Sequence, residues 1–394
     1  MAAIRKLLQT CPKELFQQKL SEITWSPSEL SHSHQVVQIL ELCTHQDQKL
    51  GVKLDIPSII PDLRLSSAIS YIDRLGKIKG MRALPETYAV LEAALRKQSD
   101  IPLKDLQKLL KHYNRVRVCP PANFTNILLT HFFSHLPEAN FSQLSSIIRY
   151  ISLFHPTFSP SLSQSNQVTH LWEALGKVRP PPNNLTEYCS NLVSLSHSFA
   201  MFQMPDVSLW KCTLRDIIAY KEVIQRNMEF RIAALSMKKT KKICELLMPE
   251  TYVSLQSVWE EVDRSYKVDL GYVRRGDVKS ALEAKVMEAL APLQVQVQRN
   301  GVIEEVFPYD LLISKTNVEI DGPDHFARWT NGVVSDKLLW SHNVRDLALQ
   351  AKGFTVKRVD YRTIDKVRRE QLTMKFAALL GIEVQGIEVQ DRDK

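Results

Sequence analysis

From the amino terminus to about residue 265, apolar side chains recur three and four residues apart, the period of a helix with one buried face. Short polar or proline-containing breaks separate these runs. Leu106, Leu109, Leu110 and Tyr113 form one stripe, and it returns 38 residues later as Leu144, Ile147, Ile148 and Ile151. Pro85-Glu86-Thr87-Tyr88 and Pro121-Ala122-Asn123-Phe124 stand 36 residues apart, each following one apolar helical segment (69–75, 106–113) and preceding another (90–95, 127–133). Leu171-Trp172 recurs after 38 residues as Leu209-Trp210. Periods of this length suit helix pairs that stack into a solenoid; an irregular helical bundle is the plainer alternative. Residues 217–234 predict a further helix, and 159–165 and 179–184 read as loops.

From about residue 270 the period changes. Residues 279–290 keep a helical stripe at Leu282, Val286 and Leu290, and Leu293, Val295 and Val297 then alternate as a strand. Asn300-Gly301 signals a hairpin turn. Residues 306–313 and 318–321 predict a second and third strand. A helix over 335–352, ended by Gly353, a strand over 354–361 and a helix over 364–380 follow. The order α-β-β-β-α-β-α describes an α/β domain of about 110 residues. The expected architecture is α+β and multidomain: an all-α, solenoid-like helical array over 1–265 and a small α/β domain over 270–385.

A chain of 394 residues accommodates two or three domains. Its hydrophobic content of 44% and charged content of 24% are those of ordinary globular proteins, and only 12 glycines disfavour a loop-rich all-β fold. The net charge of +8 and a pI near 9.0 are compatible with a polyanionic partner. Cys11, Cys43, Cys119, Cys189, Cys212 and Cys244 show no metal-ligand spacing and read as buried thiols of a reducing compartment. No apolar run is long enough to span a bilayer. Arg5 and Lys6, with no acid before Glu14, give a weak organellar targeting signal.

The most informative stretch is 317–326, Asn-Val-Glu-Ile-Asp-Gly-Pro-Asp-His-Phe. Val318 and Ile320 alternate with Glu319 and Asp321, which predicts a strand with one buried face and both carboxylates on the other. Gly322-Pro323 ends it in a turn, and His325 follows. Two acids and an imidazole at a strand end suit a metal site, an acid/base site or a polar rim for a charged ligand.

Residues Glu319 to Phe326 resemble the signature of the RAP domain, a module abundant in apicomplexan RNA-binding proteins and found at the end of the Fas-activated serine/threonine kinase-like family of mitochondrial RNA proteins. The wider resemblance spans about 270–370, where Gly353-Phe354-Thr355-Val356 and Val359-Asp360-Tyr361 fit a hydrophobic strand followed by tyrosine. The tryptophan that many members carry soon after that tyrosine is missing. The helical portion resembles the repeats that precede RAP domains, in which one helix of each pair faces RNA.

RAP domains in turn resemble the very-short-patch-repair branch of the restriction-endonuclease-like, or PD-(D/E)XK, fold. That resemblance implies Mg²⁺ held by Asp310 and Glu319, with Glu283 as a further carboxylate and His325 as general acid or phosphate ligand. Asp321 stands where the motif normally has lysine, which weighs against cleavage. In the plainer reading Asp310, Glu319 and Asp321 set strand register and no cofactor is needed. For RNA, the candidate contacts are Lys238, Lys239, Lys241 and Lys242, then Lys357, Arg358, Arg362, Arg368 and Arg369, with Lys352 and Lys366 nearby. Phe326, Trp329, Trp340 and Tyr361 accompany them, and arginine beside aromatic rings suits single-stranded RNA. No P-loop, Ser/His/Asp array or kinase signature is present.

The expected function is that of a mitochondrial RNA-binding protein in RNA processing or stability, or of a ribosomal-RNA-binding component of the mitochondrial ribosome. Its partners would be single-stranded or ribosomal RNA and ribosomal proteins, with no membrane. A metal-dependent RNA endonuclease and a protein-docking scaffold are the alternatives.

Overall fold

The computed structural model describes residues 65–75, 85–98, 100–154, 166–177, 185–227, 230–267 and 281–383. The expected targeting segment, the loops at 159–165 and 179–184, and Cys11 and Cys43 lie outside the described residues. The described part is mostly helical, with small mixed sheets towards the carboxyl end. It forms two compact units. One takes residues up to 179 together with 327–337, the other 180–326 and the chain from 338 onward.

In the first unit, α3 (Leu103–Val116) packs between α1 (Leu65–Leu75) and α5 (Phe141–Phe154), and α2 (Pro85–Arg96) packs on α4 (Ala122–Ser134). The stripes read from the sequence are what these helices bury: Leu106, Leu109, Leu110 and Tyr113 on α3 and Leu144, Ile147, Ile148 and Ile151 on α5 are all closed to solvent. Tyr88 and Phe124 are likewise both buried. The Leu-Trp pair does not keep one place. On α6 (Asn166–Lys177) Leu171 is buried and Trp172 partly exposed, whereas on α8 (Val207–Ala219) it is Trp210 that is buried.

The first unit also holds a short sheet. Val118–Cys119 (β1) lies parallel to β7 (Phe326–Trp329), with Val118 opposite Arg328 and Cys119 opposite Trp329, and β8 (Val334–Leu338) is the next strand. The helix expected over 335–352 therefore starts only at Trp340. Its first residues are taken by a sheet whose partner, β1, is about two hundred residues away in sequence, a pairing that local pattern cannot report.

In the second unit, α7 (Leu185–Met201) packs on α8 and α10 (Phe230–Leu247), and α11 (Pro249–Ser265) packs on the same two. The Trp210 and Trp259 rings meet in the core, 6.0 Å apart. The helix expected over 217–234 is divided into the end of α8, α9 (Lys221–Asn227) and the start of α10. Tyr266 Oη donates to the Ile217 carbonyl at 2.9 Å, close to where α8 ends.

The four-stranded sheet of this unit has the order β2-β5-β6-β9, from Gln298–Arg299, Leu311–Ile313, Thr316–Asp321 and Thr355–Asp360. The first two pairings are antiparallel, and β6–β9 is parallel with Glu319 opposite Arg358. The crossover that a parallel pair requires is supplied through α13 (Trp340–Ala351), closed by Gly353 at φ +88°. One face of the sheet packs on α12 (Ala281–Leu290), α14 (Tyr361–Lys366) and α15 (Arg369–Leu380). There Val318, Ile320, Leu311 and Val359 meet Val286, Leu290, Ile364, Leu372 and Phe376. Asn300-Gly301 does turn the chain, but β2 pairs with β5 rather than with its neighbour. Val302–Ile303 (β3) and Phe307–Pro308 (β4) form a separate two-stranded hairpin that splits the strand expected over 306–313. The helix expected over 364–380 is likewise broken, between α14 and α15.

No described helix is long and apolar enough to cross a membrane. Cys119, Cys189 and Cys244 are buried free thiols and Cys212 is exposed.

Candidate functional site

Strand β6 decides the site. Its even-numbered residues Val318 and Ile320 enter the apolar core, so Asn317, Glu319 and Asp321 share the opposite face. The alternation predicts that this second face is wet. It is not: Glu319 is 2% exposed and Asp321 1%. Carboxylates buried to that degree need opposite charge and hydrogen bonds. Glu319 has both, with Oε1 accepting from Asn317 Nδ2 at 2.9 Å and Oε2 lying 2.6 Å from Arg345 Nη2 of α13. Asp321 Oδ1 lies 2.7 Å from His325 Nδ1 and accepts from Arg358 Nη1. Arg358 also grips Asp346 through two bonds of 2.6 and 2.8 Å. Asp310, at the bend between β4 and β5, accepts the Ile320 N–H on Oδ2 at 2.8 Å and so fixes the register of β6 from the side.

A recess of about 180 Å³ opens over this polar face. Asp310, Glu319 and Tyr309 line it from the sheet, and Asn300 and Gly301 from the turn after β2. His325, Ser341, His342 and Arg345 line it from the start of α13 and the turn before it. Lys239 completes it from α10, which packs on α13. A Cβ at Gly301 would stand 2.2 Å from Tyr309 Oη, so any side chain there would have to displace the Tyr309 ring. The His325 and His342 rings are stacked, 4.6 Å between centroids. Glu283 stands beside the recess, its Oε2 3.4 Å from Asn300 Nδ2 and 3.6 Å from Arg299.

The electrostatics follow from burial. Desolvation, with the Glu319 charge second, pushes the Asp310 carboxyl up to about 6. Desolvation also lowers the Lys239 amine to about 8, helped by the Arg345 charge and opposed by Glu319. His342 is held down at about 2 by burial and then by His325, Arg345, Arg358 and Lys239, so its imidazole is neutral. Burial alone would raise Asp321, but the His325 hydrogen bond and the Arg358 charge outweigh it and hold the carboxyl below its usual range.

The sequence candidates are thus separated. Asp310, Glu319 and His325 meet in the recess, Asp321 orients His325 from behind, and Glu283 is set to one side. Of the lysine cluster, Lys239 reaches the recess. Lys238, Lys241 and Lys242 line a larger groove of about 630 Å³ on another side of α10, shared with Glu245, Asp263, Glu304 and Glu305. There Lys241 pairs with Asp263, and Lys242 with Glu245 and Glu304 at 2.8 and 3.2 Å. Arg358 is consumed internally, as described. Arg362 binds Asp360 at 2.7 Å and stacks over the Phe326 ring at 4.8 Å. Arg369 Nε donates to the Glu288 carbonyl, and Arg368 stands at the start of α15. Lys352 pairs with Glu304. Lys357, on β9, makes no ion pair with the described residues. Sequence reasoning missed Arg345, His342 and Asp346. Their spacing on α13 was legible, but the face they occupy is defined only by what packs on it.

A Mg²⁺ ion between Asp310 and Glu319 would have to displace Arg345 Nη2, which lies 2.6 Å from Glu319 Oε2, while Oε1 accepts from Asn317. Among the described residues no group of three or more His, Cys, Asp or Glu is placed to hold a metal ion. No protein-family profile matches this sequence, and no curated protein matches it as a relative.

Proposed function

We propose that this chain is an RNA-binding protein of the mitochondrion, built as a helical-repeat array followed by a RAP domain. It acts in RNA processing or stability, or as a ribosomal-RNA-binding component of the mitochondrial ribosome beside ribosomal proteins. The observation that carries the reading is convergence. Asp310, Glu319 and His325, which bear the resemblance, line one recess with Lys239 and Arg345, two cations from elements outside the motif. A recess whose two cations come from two separate helices is suited to holding a phosphate in a fixed orientation.

Cleavage is the second reading, and one observation favours it. Lys239 brings to Asp310 and Glu319 the cation that Asp321 displaces from the motif. A metal-dependent form of that chemistry requires Arg345 to leave Glu319 Oε2. A protein-docking scaffold is the third reading.

Crosslinking in cells with sequencing of the bound RNA tests the proposal. Discrete sites on ribosomal RNA are expected for the ribosomal role and scattered messenger sites for processing. Recovery of no RNA above background would overturn the RNA-binding reading in favour of the scaffold.

A further inference from the structure

Two cationic donor atoms of the recess, Lys239 Nζ and Arg345 Nε, have no hydrogen-bond acceptor among the described residues. Lys239 Nζ forms no ion pair or hydrogen bond with the described residues. Arg345 is 7% exposed, and its Nε meets no hydrogen-bond acceptor. Its Nη2 touches Glu319 without hydrogen-bond geometry, and its Nη1 reaches only the Pro308 carbonyl, at 3.4 Å. Leaving a buried donor such as Arg345 Nε unpaired is costly, and more so when it belongs to a charged group, while Lys239 is half-buried at the same recess. Glu319 offsets the charge of Arg345 through Nη2 but leaves its Nε bare, and Asp310 Oδ2 is taken by the Ile320 N–H; neither carboxylate accepts a hydrogen bond from Lys239 Nζ or Arg345 Nε. The first turn of α13, a helix of 12 residues, adds the positive end of its dipole through Ser341 and His342.

We propose that the recess is a phosphomonoester site, in which Lys239 and Arg345 hold the terminal phosphate of an RNA strand. The proposal rests on the RNA-binding reading for the source of the phosphate and on the geometry for its chemistry. Size selects the group. At about 180 Å³ the cavity is below the roughly 300 Å³ at which pockets begin to enclose drug-sized ligands, so it admits a phosphate head and leaves the nucleoside outside. A terminal phosphate enters such a recess end-on, while an internal phosphodiester must bring two nucleosides to its mouth. A monoester also offers three terminal oxygens and close to two charges at neutral pH, enough to satisfy Lys239 Nζ and Arg345 Nε together.

The test uses the full chain and single-stranded RNA 12-mers with a 5′-phosphate, a 3′-phosphate or hydroxyls at both ends. Binding is read by fluorescence anisotropy, with inorganic phosphate and adenosine monophosphate as competitors. One of the phosphorylated strands is expected to bind at least tenfold tighter than the hydroxyl-ended strand, and inorganic phosphate is expected to remove that advantage. Lys239→Gln should abolish the preference for the phosphorylated strand, whereas Lys238→Gln should retain it. Ser341→Asp, which places a negative charge at the mouth, gives a second variant should Lys239→Gln fail to fold. Equal affinity for all three strands, or a preference that survives in folded Lys239→Gln, overturns the proposal. If no strand binds but phosphate or the mononucleotide raises the Tm of the wild type and not of Lys239→Gln, the phosphomonoester site stands and the RNA reading falls.

Discussion

At the scale of single residues, the Glu319–Arg345 contact dominates the second unit. Both side chains are almost wholly buried, and each is the other's main compensation for lost hydration. Arg345→Met should cost about 3–5 kcal/mol of stability, because it leaves Glu319 charged and enclosed with only Asn317 to satisfy it. Glu319→Gln added to Arg345→Met should recover a large part, since the orphaned charge is then gone. Denaturant unfolding of the two single variants and the double variant measures this. A loss below about 1 kcal/mol in Arg345→Met would mean that water reaches Glu319 and the recess is more open than described. Lys239 behaves differently. It has no carboxylate to strand, so its removal should leave stability unchanged or slightly higher and affect ligand binding alone.

At the scale of elements, α2 and α3 are tied by a polar bond inside an otherwise apolar layer. Tyr88 Oη and His112 Nε2 are 2.7 Å apart, and His112 is fully buried. Burial, opposed by Asp73 and aided by Arg115, holds the imidazole down at about 3, against an ordinary value of 6.5. The folded-state value is the lower one, so above pH 6.5 both states are neutral and titration of the residue costs no stability. Below pH 6.5 the unfolded chain takes a proton that the folded chain refuses, and stability falls as pH falls towards about 3. The ceiling on that loss is about 5 kcal/mol, at about 1.4 kcal/mol per pH unit. Comparing unfolding free energies of the wild type and His112→Phe between pH 7 and pH 4 checks it. The wild type should lose more stability than the variant, and parallel curves would refute the assignment. The elements also show where pattern failed. The stripes of α3 and α5 were readable because each helix buries one continuous face. The strands at 326–338 were not, because their partner β1 is so remote that only the folded chain pairs them.

At the scale of the whole molecule, the excess of positive charge overstates the surface available to RNA. Much of the predicted basic set is spent internally: Arg358 on Asp321 and Asp346, Lys242 on Glu245 and Glu304, Lys352 on Glu304, and Arg362 on Asp360. Lys238, Lys239, Lys357, Lys366, Arg368 and Arg369 make no ion pair with the described residues. If each neutralises one phosphate, log affinity for single-stranded RNA should fall against log salt with a slope of about −4, at roughly −0.7 per contact. Titrations between low and physiological salt measure the slope. A flat response would remove RNA backbone contact from the picture, and a slope steeper than about −5 would show that the internal pairs open or that the helical array contributes further cations.

What the sequence determined by itself is the local part. The helical period up to residue 265, the change of period beyond it, the strand at 318–321 and the helix stop at Gly353 all follow from rules that act within one turn or one strand. The acids at 319 and 321 were legible as a pair for the same reason, since a strand of period two places them by counting, whereas Asp310 entered only through the resemblance. Tertiary structure decided what covers them. The alternation at β6 means only that one face is polar; it cannot say that α13 arrives to bury that face, or that Arg345 and Lys239 arrive with it. Nor can charge composition tell a cation that faces solvent from one, like Arg358, that is locked between two carboxylates. Those outcomes depend on contacts between residues far apart in the chain, and burial then sets the strength of every charge they bring together.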